Sequence, residues 1–155
     1  MIKITLPDGT IKEFALNSTP MDVAKSISEG LARNVISATF NNTTIETTTP
    51  LTIDGSLILH TFNDAGGKKA FWHSSAHVLA EAVQALWPGT RTAIGPAIEH
   101  GFYYDFDRDA PFTPEDLPVI EKKMREIIAK RTPFNSETWS RDQARAYFET
   151  ADEPY

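Results

Sequence analysis

The sequence contains no cysteine, which excludes a disulfide framework, a cysteine nucleophile and a thiolate metal site within its 155 residues. It also has no apolar run that approaches the ~20 residues of a membrane helix. The N-terminus lacks the basic stretch and the long apolar run of a secretory signal. We therefore expect no membrane partner and a cytoplasmic location.

The sequence also has few clustered basic residues. The formal net charge is −6, and lysine and arginine occur only in small groups such as Lys68–Lys69 and Lys122–Arg125. Proteins that bind nucleic acid tightly through phosphates usually present a clustered basic face. The charge therefore argues against tight RNA binding by this chain alone. Hydrophobic residues make up 41% of the chain, which favours a packed globular fold.

The first thirty residues have the pattern of two strands and a helix. Apolar residues alternate with polar ones from Ile2 to Leu6, the period of a half-buried strand. Asp8–Gly9 favours a hairpin turn, after which Ile11–Leu16 supplies the return strand. Thr19 is a candidate N-cap for a helix that we expect to end at Gly30.

Three extended segments follow the helix, at Ile36–Phe40, Thr43–Thr49 and Leu57–Phe62. Strand, strand, helix and further strands are the order of a ubiquitin-like β-grasp. We therefore predict an α+β protein that opens with a β-grasp domain over residues 1–62. The polar, turn-rich segment Asn63–Gly67 is the expected linker.

A second α+β region is predicted from residue 68 onward. An amphipathic helix should run from about Lys68 to Trp87, with its apolar stripe at Trp72, Ala76, Leu79, Val83 and Leu86. Residues 91–107 should form a pair of strands with a bend at Pro96. Within that pair, Phe102, Tyr104 and Phe106 should share one side.

Two more helices and a short strand are predicted near the end of the chain. Thr113–Asp116 begins a helix that should stop before Pro133, with an apolar stripe at Leu117, Ile120, Met124 and Ile127 or Ile128. A short strand near Phe134–Thr138 and a helix over about Ser140–Glu149 should follow. The sequence then ends at Pro154–Tyr155 without a closing element, which favours a boundary imposed on a longer protein.

His73 and His77 are the sharpest candidates for chemistry. Residues four apart share a helix face, with Cβ atoms about 5–6 Å apart. Two imidazoles so placed can bind a metal, share a proton or orient a water. Position 74 is serine, so the glutamate of a zinc-protease motif is missing. Both histidines should face away from the apolar stripe, and two surface or hydrogen-bonded structural histidines remain the alternative.

The residues around this pair resemble the start of the second N-terminal domain of threonyl-tRNA synthetases, in order and spacing, at His73–Ala82, Leu86–Thr90, Ile94–Pro96 and Gly101–Asp105. Upstream, Ile4–Gly9 and Thr19–Ala24 resemble the TGS domain of the same family. The two resemblances together cover nearly the whole chain.

In that family the second domain hydrolyses seryl-tRNA made on the threonine tRNA. Serine lacks one methyl group of threonine, which gives only about 1–3 kcal/mol of discrimination, so a second, hydrolytic selection is needed. The resemblance implies that His73 and His77 are catalytic residues that position or deprotonate the attacking water, or steady the leaving ribose hydroxyl. It implies that Tyr104 binds substrate, although a sheet-core aromatic is an equal alternative.

The family completes its editing pocket with a downstream Cys-x-x-x-His element and a lysine that are missing here. We therefore expect residues 68–155 to be an incomplete editing domain, inactive alone, with no metal site and no cofactor. The resemblance implies that the full-length enzymes use ATP, magnesium and zinc in domains outside this sequence. It also implies the threonine tRNA as a partner and a homodimer formed through those other domains.

Two other functions fit the residues. The chain could be a non-catalytic module that binds RNA, a nucleotide or a protein through its TGS domain. It could also be a small metal-dependent hydrolase that uses His73 and His77. His60 in a strand and His100 at a turn are interpreted as structural or exposed, and Asp105 and Asp107 as surface carboxylates.

Overall fold

A five-stranded sheet organises the first part of the chain in a computed structural model that describes residues 1–133 and 137–151. Its strands are β1 (Ile2–Thr5), β2 (Ile11–Phe14), β3 (Val35–Phe40), β4 (Thr43–Ile45) and β5 (Gly55–Thr61). They lie in the order β2-β1-β5-β3-β4, with β1 parallel to β5 and the other pairs antiparallel. This mixed sheet with its helices confirms the predicted α+β class and the β-grasp arrangement.

The core of this unit lies between the sheet and its first helix, α1 (Pro20–Ile27). Its buried residues are Ile2, Ile4, Val23, Ala38, Leu51 and Leu57. The alternation in β1 that predicted a half-buried strand is confirmed, because Ile2 and Ile4 are buried while Lys3 is exposed. Each fully buried aliphatic side chain of this size contributes about 1.5–3 kcal/mol.

The predicted end of the first helix at Gly30 is wrong. α1 ends at Ile27, and a second short helix, α2 (Glu29–Asn34), contains Gly30. Ser28 lies between them in an extended conformation, and its Oγ accepts a hydrogen bond from Leu31 N at 3.0 Å. A serine cap therefore interrupts the helix before the glycine is reached.

The long helix α3 (Ala65–Leu86) begins three residues earlier than predicted, inside the segment expected to be a linker. Thr61 N and Oγ1 both donate to Asp64 Oδ2, at 2.7 and 2.8 Å, and Asp64 O accepts the helical hydrogen bond from Lys68 N. The same Thr-x-x-Asp arrangement precedes α1, where Thr19 N donates to Asp22 Oδ2 at 2.9 Å. Such pairs satisfy backbone groups at a helix start.

Gly66 and Gly67 lie in the first turn of α3, where close neighbours leave little or no room for a side chain. A Cβ at Gly67 would overlap the carbonyl oxygen of Thr61, and one at Gly66 would lie 3.2 Å from the His60 ring. The two glycines therefore permit close packing of α3 against the end of β5, and the polar run is not a free linker. The compact units divide between Trp72 and His73, and the domain limits given above stay a prediction.

The second unit, from His73 onward, contains two short antiparallel ribbons and two more helices. The elements are β6 (Arg91–Thr92) paired with β9 (Phe106–Asp107), β7 (Ala97–Ile98) paired with β8 (Gly101–Phe102), α4 (Asp116–Ala129) and α5 (Arg141–Thr150). The predicted strand pair over 91–107 is confirmed as these two ribbons. Within the described ranges, no helix is both long and apolar enough to cross a bilayer.

One residue of the predicted α4 stripe is misplaced. Ile120 is buried and Met124 and Ile127 are half-buried, but Leu117 is 61% exposed in the first turn of the helix. The last helix begins at the predicted place, where Ser140 Oγ accepts from Gln143 N. The strand expected near Phe134–Thr138 falls largely on residues 134–136, which lie outside the described residues, as do residues 152–155.

Replacing Gly67 by alanine tests the close packing at the start of α3. We expect Gly67→Ala to destabilise the first unit by about 1–3 kcal/mol, because the added Cβ meets a backbone carbonyl that cannot rotate away. The matched control is Gly30→Ala, where the nearest atom to a Cβ is Ser28 Oγ at 3.8 Å. The control should stabilise the protein by about 0.5–1 kcal/mol. Hydrogen exchange of the sheet amides measures both, and equal effects would contradict the close packing.

Candidate functional site

The two histidines of α3 are joined directly. His77 Nε2 lies 3.1 Å from His73 Nε2, which is hydrogen-bonding distance. Their ring centroids are 4.6 Å apart and the ring planes cross at 84°. The contact follows from the helix, because residues four apart lie one above the other on the same face.

This pair occupies the accessible face of α3, as the sequence predicted. His73 and His77 are both exposed, whereas Ala76 and Val83 of the apolar stripe are 1% and 0% exposed. Ala80, one turn beyond His77, is 7% exposed. The histidines therefore lie on the open side of a helix whose other faces are packed, at a point where water can reach the rings.

The hydrogen bond fixes complementary tautomers on the two rings. When both are neutral, one Nε2–H donates and the other Nε2 accepts, so the accepting ring carries its proton on Nδ1. The donating ring then has an unprotonated Nδ1. The pair as a whole thus presents one proton acceptor and one proton donor at its outer nitrogens.

The pKa of His77 is set by its surroundings. Partial desolvation of the His77 ring lowers its pKa below the ordinary value of 6.5, and the positive charge that His73 can carry lowers it further. Both causes disfavour a charged His77. At neutral pH His77 is therefore the uncharged imidazole that a proton acceptor requires.

Tyr104 lies elsewhere in the same unit and has different neighbours. Its ring is half-buried and stacks on Phe106, with centroids 4.8 Å apart and planes 22° from parallel. Tyr103 and Asp105 are exposed, so the predicted alternation along this segment is confirmed. Within residues 1–133 and 137–151, no hydrogen bond or ring contact joins Tyr104 to either histidine.

A concave surface is lined in part by residues of α3 that follow His77. It is lined by Val78 and Glu81 of α3, by Ile127 and Ile128 of α4, and by Arg131, Thr132 and Pro133. Glu81 lies four residues after His77 and so projects from nearly the same face of the helix. Neither histidine lines this cavity.

The remaining candidates have structural or surface positions. His60 Nε2 lies 2.8 Å from Thr39 Oγ1 on the neighbouring strand, and His100 is an exposed turn residue 3.8 Å from the Glu99 carboxylate. Asp105 and Asp107 are exposed, as interpreted from the sequence. Among the described residues, no group of three or more histidine or carboxylate side chains could hold a metal ion.

Two residues of the second unit were missed by sequence reasoning. Gly95 lies against the Tyr104 ring, and only the Ile94–Pro96 motif drew attention to it. Arg108 places its guanidinium carbon 4.6 Å from the Trp87 ring centroid and 4.4 Å from that of Phe112. Its buried Nη1 has no hydrogen-bond partner among the described residues. Both arrangements depend on contacts between ribbons and helices that no local pattern encodes.

Known proteins are similar to this chain over both units. Residues 2–60 match the TGS domain model. A threonine–tRNA ligase of Flavobacterium johnsoniae is 61% identical over 135 residues, which are 86% of this chain and 21% of the relative. Ligases of the same name from Sinorhizobium fredii and Desulforamulus reducens are 47% and 48% identical, over 99% and 100% of this chain.

The chain spans less than a quarter of the length of these relatives, namely 23% and 24% of the last two. The match to these two covers the histidine helix as well as the β-grasp unit, since 154 and 155 residues align. These similarities confirm the resemblance that the motifs indicated.

The coupling between the two rings predicts how His77 titrates. We expect a pKa below 6.5 for His77 in the native protein, rising toward 6.5 in His73→Gln, because one of its two causes is removed. The contribution of the His77 ring to the free energy of unfolding is fully present above pH 6.5, and it decreases as the pH drops toward the lowered pKa. NMR titration of the imidazole signals measures the change. The control His100→Ala should leave His77 unaffected, and an unmoved His77 in His73→Gln would contradict the coupling.

Proposed function

We propose that this chain, which belongs to the threonine–tRNA ligase family as its TGS-containing N-terminal region, contributes to hydrolytic editing of seryl-tRNA in the full-length enzyme. The full-length protein would charge tRNA with threonine. The alternative function is a non-catalytic TGS module that binds RNA, a nucleotide or a protein.

The observation that carries the proposal is the 3.1 Å contact between the two Nε2 atoms. Seryl-tRNA is an ester, so its hydrolysis needs a base that takes a proton from water and an acid that protonates the departing ribose oxygen. A hydrogen-bonded pair of neutral imidazoles offers one group of each kind. A lone neutral imidazole also has one donor and one acceptor nitrogen, so what the pair adds is that these two nitrogens lie on separate rings joined by a hydrogen bond.

The proton movements of such a step balance within the pair. Water oxygen attacks the ester carbonyl carbon while the unprotonated Nδ1 of the donating ring takes the water proton. That ring passes its Nε2 proton to the accepting ring, whose Nδ1–H protonates the ribose oxygen as the bond between carbonyl carbon and ribose oxygen breaks. The products are free serine and tRNA. The lowered pKa of His77 keeps that ring uncharged at neutral pH, as its part in the step requires.

Tyr104 is the proposed substrate-binding residue. Stacking on Phe106 fixes the plane of its ring, and the phenolic hydroxyl can donate or accept a hydrogen bond to the aminoacyl group. The ring is only half-buried, so its surface is partly open to a ligand. This combination favours a binding role over a purely core position.

The rest of the proposed enzyme supplies what these residues do not. A chain of net charge −6 has little electrostatic attraction for tRNA, so tRNA binding is assigned mainly to the other parts of the full-length protein. The same holds for ATP, magnesium and zinc, for dimer formation and for threonine charging. The proposed location is the cytoplasm, where aminoacyl-tRNA is made.

Replacing the first histidine tests the editing role in the full-length protein. We expect His73→Ala to slow hydrolysis of seryl-tRNA by about 10²–10⁴-fold, because the acid–base pair is broken. Charging of tRNA with threonine should be unchanged. The assay follows release of labelled serine from purified seryl-tRNA.

The matched control is His100→Ala, which removes an exposed histidine that has no ring partner in the described part of the chain. It should hydrolyse seryl-tRNA at the parental rate. Normal hydrolysis by His73→Ala, with tRNA binding retained, would exclude the catalytic role and favour the binding module.

A further inference from the structure

Gly95 lies so close to Tyr104 that no other residue type fits beside the ring. A Cβ built on Gly95 would overlap Cδ2 and Cε2 of Tyr104 and lie 2.9 Å from its Cγ. Real Cβ atoms do not approach other heavy atoms so closely, so a side chain at position 95 and the observed ring position exclude each other. The backbone of Gly95 itself therefore forms part of the wall against which the ring rests.

The backbone around Gly95 is held in place by two hydrogen bonds. Ala93 N donates to Asp105 O at 3.0 Å, and Asp105 N donates to Ile94 O at 2.9 Å. These bonds continue the β6–β9 ladder up to the residues next to Gly95 and Tyr104. They hold the segment that contains Gly95 beside the one that contains Tyr104.

Phe106 restricts the ring from a second direction. It stacks on Tyr104 with planes 22° apart, and its own position is supported by Phe112, whose ring crosses it at 78° with centroids 5.7 Å apart. Phe106 against its face and Gly95 against its Cδ2–Cε2 side restrict the Tyr104 ring on two sides. The hydroxyl at its tip is restricted accordingly.

We propose that Gly95 is a positioning residue for the hydrolysis of seryl-tRNA: by having no side chain, it sets the Tyr104 hydroxyl where the aminoacyl group is bound. This inference rests on the proposed editing function. Gly95 acts through Tyr104 and contributes no reacting group of its own. Any Cβ at this position turns the ring away and moves the hydroxyl from the substrate.

The expected cost of Gly95→Ala follows from that displacement. Moving a substrate-positioning group by about 1 Å can cost up to ~10²-fold in rate. We expect kcat for hydrolysis of seryl-tRNA by the full-length protein to fall between ~10- and ~100-fold. KM for the tRNA should change little, because most tRNA contacts are made to phosphates away from the aminoacyl end.

Tyr104→Phe provides the second arm of the test, since it keeps the ring and its contacts with Gly95 and Phe106 while removing the hydroxyl. It should lower kcat by a similar factor. The double variant Gly95→Ala/Tyr104→Phe should be no slower than Tyr104→Phe alone, because the only group that Gly95 positions is already absent. A general loss of folding would instead lower kcat further in the double variant.

The outcomes separate this inference from the proposed function. Parental kcat in Tyr104→Phe, or multiplicative losses in the double variant, would overturn the positioning role. If His73→Ala abolishes hydrolysis while Gly95→Ala does not slow it, editing stands and only the role of Gly95 fails. Should His73→Ala hydrolyse normally, the editing function itself fails. Gly30→Ala, whose added Cβ would lie in ordinary contact 3.8 Å from Ser28 Oγ, controls for the change from glycine to alanine.

Discussion

The hydrogen bond between His73 and His77 exists only because α3 continues unbroken through both residues. Had the helix ended or kinked between them, the 3.1 Å contact and the paired donor and acceptor would be lost. The start of that helix is fixed by the carboxylate of Asp64 and by the side-chain-free packing of Gly67 on Thr61. Local backbone constraints and site chemistry thus belong to one element of 22 residues.

Glycine has the same physical role at two places in the chain. Gly67 admits a backbone carbonyl and Gly95 admits an aromatic ring, and in each case a Cβ would occupy space that a neighbour already fills. Neither glycine has the positive φ that marks a turn. At both positions glycine is needed because another group comes close to the backbone. A substitution there should therefore act by displacing that neighbouring group.

Sequence patterns predicted what depends on near neighbours in the chain. The alternation in β1, the caps of α1 and α5, and the shared face of His73 and His77 follow from periods of two and about 3.6 residues. The patterns failed where contacts between residues far apart in the sequence determine the local structure. Gly66 and Gly67 have turn composition but pack against β5, and the contact of Gly95 with Tyr104 arises from pairing across a ribbon. The helix end predicted at Gly30 was wrong for a local reason, because the cap at Ser28 ends α1 before the glycine is reached.

We expect the hydrogen-bonded imidazole pair, with His77 uncharged, to start the hydrolysis of seryl-tRNA. The pH dependence of serine release by the full-length protein, corrected for uncatalysed hydrolysis, tests it most directly. Since the pKa of His77 is lowered from 6.5 by desolvation and by His73, the rate should rise with pH through a midpoint below 6.5 and be constant above pH 7. A rate that is independent of pH across this range, or one that falls as the pH rises, would contradict the account.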